Sequence, residues 1–279
     1  MLQRTIRLLF AVFALGACGD NKTPQPTHPP YDAGSLPQLS CLPNLDGQID
    51  ADELQPLLDN PVKYLVSPPT ETRTVDLIGT VDAQGHQTWD FGSDFATDEV
   101  ATITATSIQG KWYASSFPSA TFVTPFDAGD AVEAIYANNA TAITLLGLAS
   151  RDADGPGGQT LVVYAPPIQL YVFPLHVGQT YSSSGTITNG VLRGLPYAGT
   201  DTYDIAIDAS GELTLEAYEF TQVLRMRTTV TVAPSAGQTL TTKQTSFLFE
   251  CFGEVARATS QPNETNDDFT TAAELRRLQ

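Results

Sequence analysis

Val100-Ala101-Thr102-Ile103-Thr104-Ala105-Thr106-Ser107-Ile108 decides the fold class. Threonine recurs at every second position with alanine or isoleucine between, and side chains on a strand change face at each residue. One face is therefore wet and the other dry. The same grammar runs through residues 71–259, read as one antiparallel β domain. Residues 74–81 are β-branched and bounded by turn residues, and Asp82-Ala83-Gln84-Gly85 turns the chain into 86–91. Further strands are expected at 111–116, 120–125, 131–137, 142–149, 160–164 and 168–173. Others follow at 180–188, 202–207, 212–217, 223–232 and 239–255. Turn residues recur every eight to twelve positions, the spacing of an all-β sandwich or open barrel rather than of alternating strands and helices. A straight strand over 239–255 would exceed about 50 Å, so a bulge or bend is expected within it.

Shorter elements flank this domain. In 260–279, an acidic tail, Thr271-x-x-Glu274 has the spacing of a capping box and points to a short C-terminal helix. In 40–70, Asp50 opens a short helix to about Leu58, its acidic residues favoured at the N-terminus by the helix dipole. The stretch before it, Asn44-x-Asp46-Gly47-x-Ile49-x-x-x-Glu53, resembles the back of an EF-hand loop. That resemblance implies calcium on Asn44, Asp46, the Gln48 carbonyl, Asp50 and Glu53. Leu42, however, occupies the first ligand position. A capped turn into the short helix accounts for the same residues without a metal.

The chain carries 31 acidic and 14 basic residues, a formal charge of −17. Phosphate backbones are repelled by such a surface, which excludes nucleic-acid partners. Catalytic grammar is absent too. No Gly-x-Ser-x-Gly, Walker loop or His-Glu-x-x-His occurs. His28 falls in a polar segment, and His86 and His176 lack metal-ligand spacing. Asp152-Ala153-Asp154-Gly155 begins like a calcium loop but has Val163 at its twelfth position, and it reads as a Gly/Pro-rich hairpin loop. Trp89, Trp112, Tyr113, Tyr171, Tyr181, Tyr203 and Tyr218 can stack on sugars or pack in a core, the commoner use of strand aromatics.

The N-terminus is a targeting signal: Arg4 and Arg7, an apolar run over 8–15, and small residues at the cut. Leu15-Gly16-Ala17-Cys18 resembles the lipobox of bacterial lipoproteins. The resemblance implies removal of residues 1–17, a lipid on Cys18, and anchoring in a membrane of the cell envelope. Gly19 and Asp20 lack the aspartate directly after the cysteine that retains enteric lipoproteins in the inner membrane. An outer-membrane location, facing the periplasm or the surface, is expected. Residues 18–39 are Pro-rich and polar and read as an extended tether. Two cysteines then remain, Cys41 and Cys251; in an oxidising compartment they read as a disulfide, with two separately buried thiols as the alternative.

From Tyr171 to Arg227 a cadence emerges: Val177-Gly178-Gln179-Thr180, then Gly211-Glu212-Leu213-Thr214-Leu215, then Val223-Leu224-Arg225-Met226-Arg227. It resembles uncharacterised, secreted or lipid-anchored β-proteins of myxobacterial type, which implies a β fold and names no activity. Within it Asp208-Ala209-Ser210-Gly211 reads as a turn. Arg225 and Arg227 share one strand face, where they salt-bridge acidic neighbours or meet a ligand.

The leading functional expectation is a lipid-anchored envelope protein with a non-catalytic β domain and a protein or glycan partner. The alternatives are a calcium-binding module through Asn44–Glu53 and a lipocalin-like carrier of an apolar ligand, the latter requiring a lumen.

Overall fold

The computed structural model describes residues 41–126, 131–155 and 157–279, and the span Cys41–Gln279 forms one unit. The expected leader, Cys18 and the tether lie outside the described residues. Strands occur in the order β1 (Gln48–Ile49), β2 (Pro61–Val66), β3 (Arg73–Thr74), β4 (Thr80–Val81), β5 (Gln87–Asp90) and β6 (Glu99–Thr104). Then come β7 (Phe122–Pro125), β8 (Val132–Asn138), β9 (Ala142–Ser150), β10 (Leu161–Val172), β11 (Leu175–His176) and β12 (Thr180–Leu192). The last five are β13 (Leu195–Thr214), β14 (Glu219–Pro234), β15 (Leu240–Phe249), β16 (Gly253–Ser260) and β17 (Thr271–Leu278).

Twelve strands make one antiparallel path, β6-β2-β17-β16-β15-β14-β13-β12-β10-β9-β8-β7. Its two ends meet. Thr106, just past β6, exchanges backbone hydrogen bonds of 2.9 Å in both directions with Val123 in β7. The all-β sheet expected from the period-two pattern is therefore a nearly closed barrel, which leaves few unpaired edges.

Register fixes what lies inside. Directly paired residues of an antiparallel sheet share a face. Met226, Ser246, Arg257, Arg276 and Val66 form one row around the wall, and Arg225, Phe247, Ala256, Arg277 and Leu65 form the neighbouring row on the opposite face. Met226 belongs with Ile205, Ile207, Leu224 and Leu248 to an apolar cluster that includes Tyr171, Phe173 and Tyr203 at its margin. Those same aromatics join two further clusters, around Leu145, Ile168 and Ile187 and around Phe122 and Ile143. Clusters contributed by both halves of the wall and sharing members are the barrel interior, so the Met226 row faces inward.

Outside, two covering segments bury the remaining apolar faces. Residues from Val75 to Phe91 pack Trp89 and Phe91 on Phe247, with ring centroids 5.0 and 5.3 Å apart. A second segment lays Tyr113 and Phe117 on Val123, Ile135 and Leu146. Each large side chain so buried contributes about 1.5–3 kcal/mol.

Several expectations are corrected. Residues 271–278 are not a helix but β17, inserted between β16 and β2. Asp50 to Leu58 is not a helix either. One turn closes, Glu53 N–H to the Asp50 carbonyl at 3.1 Å, after which Leu54 enters the interior and Pro56 withholds the next amide. Residues 111–116 form turns ending in a 3-10 helix, Ala114–Ser116, the only helix among the described residues. Residues 208–211 are no turn; β13 runs through them, bulged on either side, because β5 adds in parallel beside Glu212–Thr214. Finally, 239–255 is not one bent strand but the β15–β16 hairpin, turning at Cys251 with φ +66°.

Candidate functional site

Cys41 and Cys251 are joined as a disulfide, with Cα atoms 5.6 Å apart. The bond holds the Asn44–Glu53 loop against the β15–β16 turn. There the Cys251 amide donates to the Glu53 carbonyl at 2.8 Å and the Leu45 amide to Glu250 Oε2 at 2.8 Å. Within the loop, Asn44 Oδ1 accepts from the Asp46 amide at 2.8 Å and Asp46 Oδ1 from the Gln48 amide at 3.0 Å. Glu53 accepts from Asn44 Nδ2 at 3.0 Å and from the Asp50 amide at 2.9 Å. Gly47, at φ +85°, allows the sharp reversal. Burial pushes the Glu53 carboxyl above its ordinary value; the Asp50 amide opposes this, and Glu250, Asp50 and Asp46 add to it. Among the described residues no group of three or more His, Cys, Asp or Glu is placed to hold a metal ion.

The same loop stops one end of the barrel. Gln48 and Ile49 pair with His176 and Leu175, and Ile49 and Leu54 sit in the interior clusters. Glu53 is therefore a latch that closes the loop on itself and leaves Leu54 facing inward.

Above this plug lies a charged group that sequence reasoning missed. Arg257 and Arg276 are directly paired on β16 and β17 and face inward. Arg257 Nη2 contacts Glu274 Oε1 at 3.2 Å, Arg276 Nη2 contacts the same oxygen at 3.3 Å, and Arg257 Nη1 lies 3.6 Å from Glu254. Ser246 donates to Glu254 at 2.7 Å, and the Arg276 guanidinium stands 5.8 Å from the centre of the Tyr64 ring. The Nε–H groups of both arginines are buried and meet no hydrogen-bond partner among the described residues. Burial and the like charge of Arg257 lower the Arg276 pKa; for Arg257, burial is outweighed by Glu254 and Glu274, and its pKa rises.

Four inward tyrosines surround these charges: Tyr64, Tyr136, Tyr171 and Tyr203, all raised in pKa by burial first, and each within electrostatic reach of Arg257. The barrel wall encloses Arg257, yet 19% of its side chain stays accessible, as does 28% of Glu274. Accessible surface on residues pointing into a barrel means space beside them.

Other expected site residues serve structure. Arg225 and Arg227 salt-bridge Asp208 at 2.8 and 2.6 Å, and Arg227 also reaches Asp268. His86 stands exposed beside Asp82, and His176 is exposed on β11. Asp152 and Asp154 lie in the loop between β9 and β10. Trp89 and Trp112 donate to the carbonyls of Leu77 and Ser150, and Tyr113 to Glu133, all under the covering segments. Tyr218 is exposed, while Tyr171, Tyr181 and Tyr203 point inward.

The sequence signal for the missed group is Val255-Ala256-Arg257-Ala258-Thr259. An arginine alternating with alanines has one small-residue face and one charged face. Only closure of the sheet says that the charged face is the inner one.

Compared with known proteins, the chain matches no family model, no curated protein and no solved structure.

Proposed function

We propose that this chain is a non-catalytic binding protein of the bacterial cell envelope, tethered by a lipid on Cys18, whose barrel holds a small acidic molecule. The lipobox-like Leu15-Gly16-Ala17-Cys18 and the Pro-rich stretch after it support the tether. One observation carries the binding reading: the paired guanidiniums of Arg257 and Arg276 keep buried Nε–H donors without partners among the described residues inside a tyrosine-walled interior, where 19% of the Arg257 side chain stays accessible. Buried donors left empty are costly, so such a pair suits a ligand that supplies oxygen acceptors. A carboxylate matches the guanidinium fork, and Ile143, Phe122 and the tyrosines offer an apolar bed for the rest of the molecule. The lipocalin-like alternative thus takes a more definite form, an apolar body with an anionic head.

Octanoate and octanamide test this on the purified mature protein, because they share a body and differ in charge. Octanoate is expected to raise the thermal midpoint and to bind by calorimetry, octanamide at least tenfold more weakly. Arg257→Gln should bring octanoate down to the amide. Equal or absent binding of the two would overturn the reading. The tether is tested separately: Cys18→Ser should move the protein from the membrane to the soluble fraction.

A further inference from the structure

Farther along β13 the barrel wall carries a buried charge of the opposite sign. Asp201 pairs with Gly185 and Val232 and has the same inward parity as Tyr203, two residues on. It is 7% exposed. Its Oδ2 accepts from Tyr164 Oη at 2.7 Å, while Oδ1 is sealed from solvent and has no partner among the described residues. Among the described residues no Lys, Arg or His forms an ion pair with it. The hydroxyls of Tyr164, Tyr197 and Tyr203 lie within electrostatic reach of it, and burial pushes the Asp201 carboxyl above its ordinary value, opposed by the Tyr164 hydrogen bond. Gly185 is needed for that geometry: a Cβ there would come within 2.8 Å of Tyr164 Cβ and Cδ1.

A carboxylate oxygen without a donor in an apolar setting is among the most costly groups a protein can bury. Protonation relieves that cost while the barrel is empty; a bound ammonium relieves it with the carboxylate ionised, through a charged hydrogen bond to the free oxygen. Tyr203 is within electrostatic reach of both Asp201 and Arg257.

From this juxtaposition we infer a second polar seat at Asp201 for a protonated amine, so that the ligand of this barrel is an amino acid in the broad sense, with carboxylate and ammonium at opposite ends of an apolar spacer. The inference rests on the acidic-ligand reading for its other end. The two seats are nevertheless separate groups on separate strands, and each can fail alone.

The test uses the mature protein with octanoate, octylamine and a series of unbranched ω-amino acids of six to twelve carbons, measured by calorimetry. One member of the series is expected to bind at least tenfold tighter than octanoate, since a charged hydrogen bond contributes about a factor of ten or more. Asp201→Asn should abolish that gain and leave octanoate affinity unchanged; retained octanoate binding also reports a folded variant. Should this variant not fold, the wild-type ratio across the series decides alone. Octanoate binding with no ω-amino acid exceeding it overturns the amine seat and leaves the acidic-ligand reading standing. Octylamine binding lost in Asp201→Asn, with no octanoate binding, supports the Asp201 seat and overturns the Arg257–Arg276 reading. Binding by none of the probes overturns both.

Discussion

Asp98 and Arg277, 179 positions apart, form an ion pair of 2.7 Å in which each side chain is 2% exposed. Asp98 also accepts two hydrogen bonds from Arg73, at 3.1 and 2.7 Å, and Arg277 donates to the carbonyls of Phe91 and Ser93. One carboxylate thus ties the outer segment to the last strand. Removing it leaves the buried Arg277 guanidinium without its counter-charge and Arg73 with Glu71 alone. Asp98→Ala is expected to cost about 3–5 kcal/mol. Urea unfolding measures this, and a loss below about 1 kcal/mol would show that the pair does not pin the segment.

The disulfide closes a loop of sequence separation 210. Restricting so long a loop in the unfolded chain stabilises the fold by about 5 kcal/mol in the chain-entropy account. Cys41→Ala/Cys251→Ala is expected to lower the denaturation midpoint. Amide exchange should rise first at Asn44–Glu53, since the bond anchors the plug as well as the chain. Uniform loosening of all strands, with the loop unchanged, would contradict this placement.

Both oxygens of Glu53 are already acceptors for Asn44 and Asp50. Glu53→Ala is therefore expected to cost about 0.5–1.5 kcal/mol for each hydrogen bond lost, since Asn44 and Asp50 are exposed and water can take up their donors. Millimolar calcium should leave the wild-type thermal midpoint where it is. A calcium-dependent rise that Glu53→Ala abolishes would establish the metal reading of this loop.

How much of this was legible in the sequence follows from which faces of each strand are apolar. Ala101, Ile103 and Ala105 alternate with threonines, and β6 was readable because its inner face is apolar and its outer face meets water. β17 was not. Leu275 and Arg277 face the outer layer, whereas Glu274 and Arg276 face the interior, so charge occupies both faces and the apolar period disappears. What survives, Ala-Ala-Glu-Leu-Arg-Arg-Leu, is a string of strong helix formers. Tertiary pairing between β16 and β2 overrides that propensity. The candidate site was hidden for the same reason. Arg257, Arg276 and Asp201 are ordinary charged residues until the ends of the sheet meet at Thr106 and Val123 and turn one face into an interior. The Cys41–Cys251 bond was legible by contrast, because pairing two leftover cysteines needs chemistry and no geometry.

Asp208 makes stability depend on acid. Burial pushes its carboxyl up, but hydrogen bonds from Arg225 and Arg227 outweigh burial and hold it below its ordinary value of 3.8. A carboxylate whose pKa is lowered by folding contributes stability that is present above the unfolded value and lost as pH falls through the folded one. Unfolding free energy should therefore decline below about pH 4, and the decline should be shallower in Asp208→Asn. An unchanged slope in the variant would show that the Arg225–Asp208–Arg227 bridge does not govern this limb.

The alkaline limb belongs to the tyrosines. All eight from Tyr64 to Tyr203 have pKa values raised by folding, with burial the largest cause in each; Tyr64 reaches about 12. A phenol raised above its unfolded value near 10 contributes stability that is complete below that pH and lost as pH climbs through the folded value. Phenolate absorbance at 295 nm should accordingly show only a small step near pH 10, with most of the amplitude appearing at higher pH together with loss of the β circular-dichroism signal. A ligand seated among Tyr64, Tyr136, Tyr171 and Tyr203 would hold the barrel folded and shift that late step upward. If instead most of the ten tyrosines ionise near pH 10 with the fold intact, their hydroxyls are in water and the interior assigned to them is open solvent.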